Sequence, residues 1–93
     1  MSYARVVRFT DVDAAKIEEI RGRAESGPPE GVDSTGFKLV HDTDQGTAVF
    51  IGFFESEDKM KAGAKALEAM DSSETPGTRA SVDSGEVVVE ADA

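Results

Sequence analysis

Cysteine is absent from this 93-residue chain, and histidine and tyrosine occur once each. Without thiols there is no disulfide, no cysteine nucleophile and no Cys-ligated zinc or iron–sulfur centre. Cations are scarce too: 10 Lys+Arg stand against 19 Asp+Glu, a net charge of -9. No nucleic-acid partner is expected, because neutralising phosphates requires clustered Lys and Arg. Long apolar runs are missing. The longest, Thr47–Phe54, falls far short of the ~20 residues of a membrane helix. No basic segment leads into an apolar one as in a secretory signal, so no membrane association is expected and the expected location is cytoplasmic. Gly-rich phosphate loops, a Ser nucleophile elbow and paired histidines are likewise missing. Asp42-Thr43-Asp44-Gln45-Gly46 echoes the start of a calcium loop but lacks the later bidentate Glu. It reads as a hairpin turn, and no metal site is expected.

What is present describes a single domain over residues 1–93. A chain of this length buries roughly 60–70% of its unfolded surface, enough for a modest core. Tyr3–Thr10 is rich in β-branched and aromatic residues and predicts a first strand. Asp11 or Asp13 then offers an N-cap for a helix to about Ala24 or Glu25, with Ile17, Ile20 and Ala24 inward and Glu18, Glu19, Arg21 and Arg23 outward. Ser26-Gly27-Pro28-Pro29-Glu30-Gly31 stops it, and Gly27–Gly36 reads as a loop. Phe37–His41 and Thr47–Phe54 flank the Asp42–Gly46 turn as a hairpin. Ser56 caps a second helix whose buried stripe is Met60, Ala64, Leu67 and Met70, ended by Asp71–Gly77. A fourth strand is expected between Arg79 and Ala91, centred on Val87-Val88-Val89.

The order β-α-β-β-α-β, with right-handed crossovers, predicts an α+β ferredoxin-like sandwich: a four-stranded antiparallel sheet with both helices on one face. The third strand adds a constraint. Val49, Ile51 and Phe53 project to one side, and Ala48, Phe50, Gly52 and Phe54 to the other. A sheet with one wet face should alternate apolar with polar residues, and this strand does not. The second face calls for a cover that 93 residues cannot supply, so a homodimer through the open sheet face is expected.

On these features the chain resembles the dimeric α/β-barrel superfamily, in particular its antibiotic-biosynthesis-monooxygenase-like branch. The resemblance rests on the Tyr3–Thr10 strand, Gly36-Phe37, the Asp42–Gly46 turn, Phe53-Phe54-Glu55-Ser56-Glu57-Asp58 leading into the second helix, and Ser81–Val89. It implies two sheets packed face to face, ligands held between sheet and helices, and a monooxygenase-like domain acting on or binding a small aromatic or hydrophobic molecule. The alternative is a non-catalytic ligand-binding or dimerising module. The haem-degrading branch carries an Asn, a Trp and a ligating His at positions that fall here on Val7, Phe54 and Ala64. All three differ, so haem degradation is not expected, nor any cofactor.

Several residues are candidates for chemistry. His41 is the one side chain that ordinarily titrates near neutrality, and it stands beside Asp42 and Asp44. It is either a general base oriented by a carboxylate or a solvated strand-end residue. Arg5 and Arg8 point to opposite faces of the first strand; one could bind an anionic substrate, or each could serve an ordinary ion pair. Phe54, Met60, Ala64 and Leu67 are the expected apolar wall of a pocket between sheet and helices. Gly52 and Gly63 would provide either room for a ligand or close packing of helix on sheet.

Overall fold

Residues 2–27, 31–69 and 75–91 are described by the computed structural model. The chain runs β1 (Tyr3–Thr10), α1 (Ala14–Ala24), β2 (Gly36–Asp42), β3 (Thr47–Phe54), α2 (Glu57–Glu68) and β4 (Thr78–Glu86). The strands form one antiparallel sheet in the order β2-β3-β1-β4, so the arrangement is the α+β ferredoxin-like one. No helix among the described residues is long and apolar enough to cross a membrane.

Local chemistry sets the element ends. The Asp13 carboxylate accepts from the Ala15 N–H at 2.8 Å and opens α1. Ser56 Oγ accepts from the Lys59 N–H at 3.2 Å, while Glu57 and Asp58 stand in the first turn of α2, where the helix dipole favours acids. At the β2–β3 turn the Asp42 carboxylate accepts from the Asp44 and Gln45 N–H groups, each at 3.1 Å, and from the Gln45 side-chain amide at 2.8 Å. Gly46, at φ +67°, then closes the turn with its N–H on the Asp42 carbonyl at 2.9 Å.

These bonds hold the Asp42 carboxyl below the usual aspartate range, the Gln45 backbone N–H contributing most and its side-chain amide next. A pKa lower in the folded than in the unfolded chain gives stability that is present above the unfolded-state value and lost as pH falls through the folded one. An NMR titration should therefore place Asp42 below ordinary aspartates, and Gln45→Ala should move it part of the way back. An unshifted midpoint would contradict the turn geometry.

The helices cover the sheet face that carries Arg5, Val7 and Phe9 of β1 and Ala48, Gly52 and Phe54 of β3, all buried. On the open face Ala4, Val6, Val49, Ile51 and Phe53 are only half-buried, and Val40 is 55% exposed. The two-sided apolar character of β3 thus has its counterpart in the fold, with the Val49–Ile51–Phe53 side outward.

β4 departs from expectation. It is centred on Val82, and Val88 and Val89 are 78% and 81% exposed beyond its end. A β-branched run is a strand only where it finds a partner. β4 pairs with β1 alone, and that ladder ends at Tyr3↔Glu86 because β1 begins there. One further bond, from the Val87 N–H to the Ser2 carbonyl at 2.8 Å, completes the contact. Met70 of the expected α2 stripe, with Asp71–Glu74 and Pro28–Glu30 of the expected breaks, lies outside the described residues.

Candidate functional site: a cavity between sheet and helices

A cavity of about 210 Å³ lies between the sheet and the two helices. Val7, Phe37, Leu39, Phe50 and Phe54 form its floor, with the Phe37 and Phe50 rings stacked at 5.5 Å. Ile20 and Ala24 of α1 and Leu67 of α2 face them, and Val32 and Pro76 close the sides. The strand period explains the floor: β2 residues Phe37 and Leu39 pair with Gly52 and Phe50 of β3, so alternate residues share the helix side.

Phe54 is the most tightly held of the rings, 1% exposed. A Cβ built on Gly63 would lie 2.7 Å from Phe54 Cε1, so only glycine lets α2 settle directly on the ring. Gly52 stands between the Phe54 and Phe50 rings, its virtual Cβ at 3.4 and 3.5 Å from them, and itself lines the cavity. The two sequence alternatives divide accordingly: Gly63 serves close packing of helix on sheet, and Gly52 serves packing and cavity room together.

Arg5 is the one buried charged residue in the described core, 5% exposed, and lines the same cavity. It pairs across the ladder with Gly52. Its ionic partner is Glu68 Oε1 at 3.9 Å, and Arg79 Nη1 stands 3.8 Å from that same oxygen. Burial pushes the Arg5 pKa down; Glu68 opposes this and Arg79 adds to it.

Of the residues named from sequence, the cavity wall brings together Arg5, Phe54 and Leu67. Met60 is buried under α2 and Ala64 half-buried beside it, but neither reaches the wall, because α2 is pressed onto Phe54 at Gly63. Arg8 is exposed on the opposite sheet face, paired with Val49. His41 is half-buried against α1, in an adjoining concavity with Ala14, Ile17 and Thr43 that shares Ile20, Ala24, Phe37 and Leu39 with the cavity. The Asp42 carboxylate that could have oriented it is held by the turn N–H groups instead.

Two charged wall residues escape a reading of the sequence. Arg23 sits in the outward set of α1, yet lines the cavity, as does Arg79 at the start of β4. Arg79 stands opposite Phe9, on the helix side of the sheet, a position set by the register shift between Arg8 and Phe9 that residue type does not signal. Of the positions that distinguish the haem-degrading branch, Val7 and Phe54 are in the wall and Ala64 is not. Comparison of the chain with models of protein families, with curated proteins and with solved structures finds no match.

Proposed function

We propose that this domain binds a small aromatic or compact hydrophobic molecule between its sheet and helices. The largely apolar cavity between sheet and helices carries this reading. Its volume, about 210 Å³, exceeds that of an engineered cavity of about 150 Å³ known to hold benzene, and so suits one ring with a few added atoms. The polar side chains lining it among the described residues are Arg5, Arg23, Ser34, Thr75 and Arg79. These types donate hydrogen bonds readily but are not bases near neutral pH, and His41 lines the adjoining concavity rather than this one. That composition favours the binding module over the monooxygenase-like reading. Adding toluene or indole to the labelled protein should give saturable amide shifts confined to the cavity wall, together with a raised Tm. Neither effect at millimolar probe would refute the proposal.

A second reading concerns the open sheet face, which we propose packs on a second copy. The ladder registers align Lys38, Ile51, Val6 and Asp83 in one row across β2, β3, β1 and β4. A two-fold axis along the strands reverses such a row on itself. Lys38 would then meet the partner's Asp83 and Ile51 the partner's Val6, which makes the face self-complementary as a symmetric dimer requires. Sedimentation equilibrium at micromolar concentration should give twice the 9.8 kDa of one chain. Ile51→Asp should return the monomer with its fold intact; a wild-type monomer at 100 μM would exclude this packing.

A further inference from the structure

The cavity wall has a charge asymmetry that a purely apolar ligand would not need. The chain has five arginines, and three of them, Arg5, Arg23 and Arg79, line this one space. No Asp or Glu lines it among the described residues, although acids outnumber bases 19 to 10 in the chain. Burying a guanidinium is costly unless an anion and good hydrogen bonds compensate. Arg5 is 5% exposed, and its ionic partner Glu68 stays at 3.9 Å, beyond direct hydrogen-bond range. No side-chain nitrogen among the described residues is both sealed from solvent and without a hydrogen bond. The Arg5 N–H groups therefore open onto accessible space, and the cavity is the space that this residue lines.

We propose that the cavity takes a monocarboxylate with a ring-sized apolar body, its carboxylate on Arg5 and Arg79 and its ring against Phe37, Phe50 and Phe54. This deepens the small-molecule reading and rests on it. Glu68 marks the anion's place: its Oε1 is shared by both guanidiniums at 3.9 and 3.8 Å, while the side chain is 57% exposed. In that position the carboxylate is beyond hydrogen-bond distance of both. A free carboxylate can approach to the roughly 2.7–2.9 Å of a charge-assisted bond and meet the planar guanidinium fork with two oxygens. One buried cation matches one negative charge, and about 210 Å³ leaves room for one ring, not a chain of many carbons. Glu68 is then a competitor of the ligand rather than a part of its site.

Benzoate and benzamide test this, since they share size and shape and differ in charge. Calorimetric or NMR titration of the full chain at pH 7 should give benzoate an affinity about tenfold or more above benzamide, as expected for a charge-assisted pair. Arg5→Met, which keeps the volume of the stem, should abolish that preference and leave benzamide affinity within a few-fold. Glu68→Gln should raise benzoate affinity several-fold and leave benzamide unchanged. Because Glu68 is largely exposed, this arm decides the question even if Arg5→Met does not fold. Equal affinities in the wild type, or a Glu68→Gln variant that binds benzoate no better, would overturn the anion assignment and leave the small-molecule reading standing. Binding of neither probe would overturn the anion assignment, and with toluene and indole also unbound it would overturn both.

Discussion

Phe54→Ala is expected to destabilise the domain by about 3–5 kcal/mol, the range for truncating a buried aromatic. The ring is 1% exposed, seated against Gly63 of α2 and Gly52 of its own strand. Its removal would leave the helix backbone at Gly63 facing a void that merges with the neighbouring cavity of about 210 Å³. The sheet cannot collapse into that space, because Phe54 lies on a strand fixed in its ladder opposite Tyr3 of β1. Thermal unfolding should show Tm falling by more than about 10 °C, since each kcal/mol shifts a domain of this size by roughly 4–8 °C. A loss below about 1 kcal/mol would mean that α2 does not rest on this ring.

The other large effect is expected at Gly77, in the turn that leads into β4. A methyl group there would fall against the Thr10 carbonyl oxygen, well inside van der Waals contact, and 3.0 Å from the Asp11 carbonyl oxygen. The neighbours are backbone atoms, and they are held. The Val12 N–H bonds the Gly46 carbonyl and the Asp13 N–H bonds the Pro76 carbonyl, both at 3.0 Å, so the chain leaving β1 is tied to two separate turns. Asp11, just before them, already holds φ +52°, a left-handed conformation uncommon for a non-glycine residue. Gly77→Ala should therefore cost on the order of 2–4 kcal/mol, against the few tenths usual at an exposed turn. Denaturant unfolding reads this directly, with Gly85→Ala as the comparison, since nothing lies within 4 Å of a Cβ at Gly85. Equal midpoints for the two variants would refute the close approach.

The elements that were legible in the sequence are those set by local chemistry. β1, β3, the Ser56 cap and the Asp42–Gly46 turn follow from residue type and spacing within a few positions. β4 was displaced because its limits depend on β1, some seventy residues away, and a valine run carries no record of where its partner stops. The candidate site divides along the same line. That Arg5 and Arg8 oppose one another follows from strand period alone; which of them enters the core depends on the side that α1 and α2 cross. The α2 stripe correctly named Leu67 as facing inward, but the wall's lower edge was decided by contact of Gly63 with Phe54, which excludes Met60 and Ala64. Arg23 and Arg79 reach the cavity from two distant segments, and no short window of sequence contains both.

The strand order β2-β3-β1-β4 also sets a timetable. Only β2 and β3 are sequence neighbours that pair, so theirs is the one ladder formed at the cost of a short loop. β1, the first strand made, lies at the middle of the sheet, and its second neighbour is the last. At synthesis rates of about 5–20 residues per second, the 75 positions from Tyr3 to Thr78 take roughly 4–15 s. For that interval a strand carrying Val6, Val7 and Phe9 has one edge without a partner, the condition that favours pairing with another nascent chain. Early folding of this domain is thus a period of exposure that ends only when β4 arrives.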